Sequence, residues 1–203
     1  MSDTLLRVVS ARRGHFRFES GLHGTLWLDL DTLFVDLPAI DPLIDRLARA
    51  LRPCAMTAVC GPMTGGAFLA QILASRLGVA FLHTERVAPG VAGGLYQVRY
   101  RLPASLRERA WGRRVAIVDD VISAGSAVRG TFEELRGHGA EPVAIGALLL
   151  LGAVAEPFFG QYGLQIDAAS RLPFDLWQPA QCPLCAAGTP LEDPSASGAS
   201  PSR

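Results

Sequence analysis

At 203 residues, 49% of them hydrophobic, the chain can bury a substantial core as one domain without splitting into two. Its 19 basic and 19 acidic residues cancel, so no basic field argues for nucleic acid as a partner. No apolar stretch is long enough for a membrane span, the N-terminus MSDTLLRVVSARR lacks the charge–apolar–small layout of a secretion signal, and the four cysteines are not spaced as a secreted disulfide framework, so a cytoplasmic protein is expected.

In chain order, Asp3 can cap a short helix carrying Leu5, Leu6, Val8 and Val9. A second helix is signalled by Asp41 as N-cap and Pro42 at the first helical position, with Leu43, Ile44, Leu47 and Leu51 on one face. Thr57–Cys60 reads as a strand running into GPMTGGAF. A helix follows with Leu69, Ile72, Leu73 and Leu77 on one stripe and Gly78 just past its end. Val79–His83 reads as the next strand. Val115–Val118 is all-apolar and mostly β-branched, which suits a central parallel strand covered on both faces. Val128, Phe132 and Leu135 mark another helix, stopped near Gly139, and Val143–Ala155 reads as a buried strand plus loop. From Pro190 onward, Ser, Pro, Ala and Gly predict a disordered tail, leaving residues 1–189 as a single domain. Strands and helices alternate, so the predicted class is α/β with a central parallel sheet flanked by helices.

The most informative stretch is RVAIVDDVISAGSAV, Arg114–Val128. A buried strand ends in two carboxylates, then a loop without bulky side chains opens into a helix. Backbone N–H groups of Ser123, Ala124, Gly125, Ser126 and Ala127 can close around a phosphate at that helix N-terminus, with the two serine hydroxyls as further donors. Asp119 and Asp120 would then stand where the hydroxyls of a phosphorylated sugar and a bound Mg²⁺ lie, and their charge would favour a cationic transition state. A pair of aspartates alone is more often a solvated loop; the full string makes that reading the weaker one. The chain has no lysine, which excludes a Walker-type phosphate loop. Gly61–Gly66 is a second phosphate candidate, because Gly65 and Gly66 permit close backbone approach; its alternative is a plain tight turn.

The DDVISAG wording resembles the phosphoribosyl-pyrophosphate (PRPP) site of type I phosphoribosyltransferases, and most of all the orotate phosphoribosyltransferases. Gly14–Phe34, GHFRFESGLHGTLWLDLDTLF, resembles the orotate-binding hood of a bacterial branch of that family. The tail QPAQCPLCAAGTPLEDP resembles the same branch's C-terminus. The resemblance implies a hood over about residues 1–36 and a core over about 37–180. It implies transfer of the phosphoribosyl group from PRPP to orotate, with Mg²⁺ held through PRPP and not by a protein metal site. Phe16, Ser20, Gly21 and His23 would bind the base. A homodimer is implied as well, its mobile loop serving the partner's site. In the better-known orotate enzymes that loop carries lysines and a histidine; the corresponding stretch here, TERVAPGVAGGLYQVRYRLP, has neither. Arg86, Arg99 and Arg101 are then the candidates to neutralise pyrophosphate, since arginine holds phosphate well but is a poor general acid. Two alternatives stay open on the residues: a PRPP- or nucleotide-binding sensor without turnover, and transfer to another base.

Cys182-Pro-Leu-Cys185 has zinc-knuckle spacing, but a tetrahedral site needs four ligands, and Cys54 and Cys60 do not form a second such pair. A pair of thiols or a redox-sensitive tail is therefore expected, with His15 and His23 as turn or hood structure and not as metal ligands.

Overall fold

The computed structural model describes residues 9–87 and 95–194. Nine strands are described: β1 (Ser10–Arg17), β2 (His23–Asp29), β3 (Ala58–Pro62), β4 (Ala80–Val87), β5 (Arg99–Arg101), β6 (Arg114–Ile122), β7 (Glu141–Leu151), β8 (Ile166–Leu172) and β9 (Leu176–Trp177). The helices are α1 (Leu37–Leu51), α2 (Gly65–Leu77), α3 (Ala104–Ala110), α4 (Ser126–Gly137), α5 (Glu156–Gly160) and α6 (Pro183–Ala186).

The core sheet has the order β5-β4-β3-β6-β7-β8. All its pairings are parallel except β4 with β5 at one edge. The apolar run at the start of β6 explains why that strand sits centrally. Val115 and Ile117 pack into the cluster formed with Val128, Phe132 and Leu135 of α4, whereas Ala116 and Val118 pack into the cluster formed with α1 and α2. Period-two burial on both faces is what an all-apolar strand buys in a doubly covered sheet. Among the described residues no helix is long and apolar enough to cross a membrane.

A second sheet, β1-β2-β9, forms the hood. Its third strand comes from the far end of the chain, and the tail continues onto the open edge of β1. The Arg17 N–H donates to the Glu192 carbonyl at 2.8 Å, and the Glu192 N–H donates to the His15 carbonyl at 2.8 Å. The predicted disorder from Pro190 therefore does not hold for residues 190–194, because strand-edge hydrogen bonds tie them to the hood. Residues 195–203 lie outside the described residues, as does the predicted helix at Asp3 apart from Val9, which is buried in the core.

Two boundaries differ from expectation. Helix α1 begins a turn early: Asp36 is the N-cap, its carboxylate accepting from the Ala39 N–H at 3.4 Å, and Pro38 occupies the first turn. Pro42 falls inside the helix, and Asp41 pairs with Arg76 instead. Strand β4 runs on to Val87 because Thr84 still pairs with Pro62 of β3 and β5 folds back on Glu85–Val87 as an antiparallel partner, which Val79–His83 alone did not predict.

Candidate active site

The carboxyl ends of the parallel strands carry the chemistry, as expected of α/β folds. Asp119 and Asp120 are the last buried polar residues of β6. The Asp120 N–H donates to Asp119 Oδ1 at 3.1 Å, and the Val121 N–H donates to Asp120 Oδ1 at 2.7 Å. Burial, followed by repulsion from Asp120, pushes the Asp119 carboxyl well above the ordinary carboxylate range. Burial pushes Asp120 up as well, against the opposing Val121 hydrogen bond. Among the described residues neither carboxylate forms an ion pair with an arginine or histidine. The start of α2 packs directly on this pair. A Cβ at residue 65 would lie 1.8 Å from Asp120 Oδ2, and one at residue 66 would lie 2.6 Å from Asp119 Oδ1. Only glycine admits that approach, which sets the positive end of a helix dipole beside two buried acids.

Past Ile122 the chain turns through Ser123 and Ala124 to Gly125, which caps α4 with φ +80°. A Cβ there would also meet Ala155 Cβ at 2.9 Å. Ser123–Ala127 form one wall of a cavity of about 690 Å³ that extends past Asp119 to the hood, where Phe18, Ser20 and Trp27 line it. Glu19 lines the cavity too. It does not present a free negative charge: Arg86 Nε lies 3.0 Å from Glu19 Oε2, and the Tyr100 hydroxyl donates to the same carboxylate at 3.1 and 3.2 Å. Burial raises the Glu19 pKa, and the Arg86 charge and both hydrogen bonds counter it.

A small-residue loop at a helix start, two desolvated carboxyls at the adjoining strand end and a cavity roofed by aromatics offer the chemistry that a phosphorylated sugar and a flat ring require. The family model for the phosphoribosyl transferase domain matches residues 36–157. The chain belongs to this family. It has the type I phosphoribosyltransferase fold and is an enzyme that moves a phosphoribosyl group from PRPP to an acceptor base. Among its relatives is the orotate phosphoribosyltransferase of Thermotoga maritima, 27% identical over 198 residues, 98% of each chain. That of Caldanaerobacter subterraneus is 28% identical over 185 residues, 90% of this chain and 88% of the relative. The crystal structure of orotate phosphoribosyltransferase from Aeropyrum pernix superposes with a TM-score of 0.63 and 25% identity, covering 84% of this chain and 93% of that one. An adenine phosphoribosyltransferase from Thermoanaerobacter pseudethanolicus shares the fold at TM-score 0.60 and 19% identity, over 85% of this chain and 100% of that one.

Within this phosphoribosyltransferase the structure gathers some of the expected residues and separates others. Asp119, Ser20 and Ser123–Ala127 share the cavity, while Asp120, Gly65 and Gly66 are not in its lining, Gly65 packing on Asp120 and Gly66 on Asp119. Phe16 is fully buried under Trp27 and cannot meet a ring face; Phe18, two residues on, lines the cavity in its place. Period-two alternation cannot separate Phe16 from Phe18. The difference is that Phe18 leaves β1 and enters the turn closed by its own carbonyl, which accepts from the Gly21 N–H at 2.8 Å. Gly21 belongs to that turn and stands outside the lining. Arg99 and Arg101 are exposed on the edge strand β5 and do not reach the cavity, and Arg86 is engaged by Glu19. The lysine-free loop falls partly on residues 88–94, outside the described residues.

His23 requires a further correction. It is buried on the hood's other side, its Nδ1 3.3 Å from Cys185 Sγ and 3.2 Å from His15 Nε2, so it does not face a base. In the sequence Cys182 and Cys185 lack two further ligands, which is the ground for expecting no protein-held metal. Folding places His15 and His23 beside them, with all four ligand atoms within 4.8 Å of one another.

Proposed function

We propose that this phosphoribosyltransferase uses orotate as its acceptor and forms orotidine monophosphate and pyrophosphate. The fold does not choose the base, since an adenine phosphoribosyltransferase shares it. The observation that carries the reading is the extent of the likeness. The family model ends at residues 36 and 157, yet relatives named orotate phosphoribosyltransferase match 98% of the chain, through hood and tail. The hood roofs the cavity where an acceptor would lie. Ring stacking on Phe18 and Trp27 and polar contacts from the Ser20 turn suit a flat carboxylated pyrimidine.

In this reading the Ser123–Ala127 amides hold the 5′-phosphate, and the ribose lies over Asp119. The bond from ribose C1 to pyrophosphate breaks with its electron pair leaving on pyrophosphate, and a C1–N bond to the base forms as that ring nitrogen gives up its proton to the departing pyrophosphate or to solvent. Charge builds on the ribose as the old bond lengthens. Asp119 lines the cavity with Asp120 next to it in the strand, and in its ionised form this pair stabilises that charge more than it stabilises the neutral ground state. Asp119 and Asp120 would also suit the waters of a hydrated divalent cation, and Mg²⁺ bound with PRPP would supply charge against the leaving pyrophosphate. We place Arg99 and Arg101 in the partner's site of a homodimer. Their exposure on an edge strand, away from their own cavity, supports this.

The test is direct. The pure protein with PRPP and Mg²⁺ is incubated separately with orotate, uracil, adenine and hypoxanthine. Pyrophosphate release with orotate alone is expected. Release with a purine, or PRPP binding without release from any base, would overturn the assignment of orotate.

A further inference from the structure

The cluster at the back of the hood is not used by the proposed reaction. His15 lies in β1 and His23 opens β2; Cys182 and Cys185 flank the first turn of α6, some 160 residues later in the chain. None of the four lines the active-site cavity. We propose that His15, His23, Cys182 and Cys185 form a closed structural zinc site that fastens the C-terminal segment to the hood.

The distances carry the inference. Zinc binds sulfur at about 2.3 Å and nitrogen at about 2.0–2.1 Å, so a regular tetrahedron has edges of about 3.3 Å between nitrogens and about 3.5 Å between nitrogen and sulfur. His15 Nε2 and His23 Nδ1 are 3.2 Å apart. Cys182 Sγ to His15 Nε2 is 3.4 Å, Cys185 Sγ to the same nitrogen 3.7 Å, and Cys185 Sγ to His23 Nδ1 3.3 Å. These are four of the six edges of one coordination tetrahedron, and the remaining two, from Cys182 Sγ to Cys185 Sγ and to His23 Nδ1, are within 4.8 Å.

Hydrogen bonding alone does not account for the arrangement. His15 Nδ1 lies 2.9 Å from the Thr189 carbonyl, which can only accept, so Nδ1 carries the proton. Neutral imidazole then has a single lone pair, at Nε2. Three polar atoms crowd that one nitrogen, and it can accept from one of them. A cation at their common centre satisfies all four at once, and the Thr189 carbonyl becomes the outer partner that orients a metal-bound histidine.

The ligand chemistry selects the metal. Two thiolates and two imidazoles in a tetrahedron suit zinc, and four protein ligands leave no open position for catalysis. The site also supplies what the segment lacks. Strand β9 pairs only two residues with β2, and α6 is four residues long, too short to stand alone. Metal binding is folding free energy for such a piece.

The experiment uses the full chain purified without chelator. Elemental analysis should find about one zinc per chain. After reduction and removal of zinc, loading with CoCl₂ should give the strong visible bands of tetrahedral cobalt and a thiolate charge-transfer band. Zinc removal should lower Tm by about 10 °C, restored by ZnCl₂. Cys185→Ser and His23→Ala should lose the metal, and Cys54→Ser should keep it. Should the ligand variants fail to fold, the metal content and cobalt spectrum of the unaltered chain decide. A chain with far less than one zinc and no cobalt spectrum, a Cys182–Cys185 disulfide in the purified protein, or full zinc in the Cys182→Ser/Cys185→Ser double variant would each overturn the site. None of these outcomes bears on the acceptor base.

Discussion

Asp119 and Asp120 occupy a place that charge disfavours, and the consequence is measurable. Each has a folded-state pKa above the ordinary carboxylate value, so the folded chain keeps protons that the unfolded chain has released. The stability they contribute is full below the ordinary value and is lost as pH rises through the raised one. Asp119→Asn removes that loss. Its Tm should exceed that of the unaltered protein at about pH 8, and the gain should shrink as pH falls below about 3, where both carboxyls approach neutrality in either state. A Tm below that of the unaltered protein at every pH would contradict this. Turnover should fall in the same variant, since the carboxylate that costs stability is the one that steadies a ribosyl cation. Gly125 presents the opposite case, a residue whose absent side chain matters. With φ at +80° and Ala155 Cβ in the way, Gly125→Val should crowd the phosphate loop. Calorimetry should then find PRPP binding abolished while circular dichroism still reports a folded chain; unchanged affinity would remove the 5′-phosphate from this loop.

Among the elements, α1 carries a defect that its burial tolerates. Pro42 has no N–H to give the Pro38 carbonyl one turn back, yet Ile40, Leu43, Ile44, Leu47 and Leu51 are all buried and hold the helix in place. Since Pro42 is exposed, Pro42→Ala should restore the hydrogen bond without disturbing the core. A gain of about 1 kcal/mol or more, read as a Tm rise of roughly 2–4 °C, is expected in thermal denaturation. No gain would mean that the proline's stiffening of the unfolded chain offsets the missing bond. The same helix illustrates how element boundaries escape a sequence reading. Asp36 and Asp41 are both capping residues followed closely by proline, and local chemistry ranks the second higher. The choice falls to Asp36 because Ile40 must join the buried face and because Arg76, on α2, engages Asp41.

For the molecule as a whole, the proposed dimer makes a quantitative claim. If Arg99 and Arg101 serve the partner's cavity, a chain with Asp120→Asn and a chain with Arg99→Ala and Arg101→Ala should each be nearly inactive alone. The Asp120→Asn loss should be about 10²-fold or more in kcat, with a smaller change in PRPP affinity. Mixed and allowed to exchange, half of the dimers pair one chain of each kind. Each such dimer holds one intact site, so about a quarter of full activity should return. No recovery in a mixture shown to exchange would place the arginines in their own chain's site or outside the reaction.

The amino-acid sequence by itself determined the parts of this protein whose physics is local. Val115–Val118 is apolar on every residue and so must be buried on both faces; Ser123–Ala127 has no side chain to block a phosphate; Gly78 ends its helix at the expected place. Those runs were enough to anticipate the α/β class and the core of the site. Tertiary structure decided what depends on contacts far apart in the chain. Strand β8, Ile166–Leu172, mixes Asp167 and Arg171 with apolar residues and becomes a strand by pairing with β7. Phe18 and not Phe16 faces the cavity because a turn intervenes, and Glu19 is tied up by Arg86 and Tyr100, which arrive on the β4–β5 arm. The four-ligand cluster is the extreme instance. No spacing rule joins two histidines of one hairpin to a cysteine pair more than 150 residues away, and only the docking of the C-terminal segment on the hood brings them within one coordination sphere.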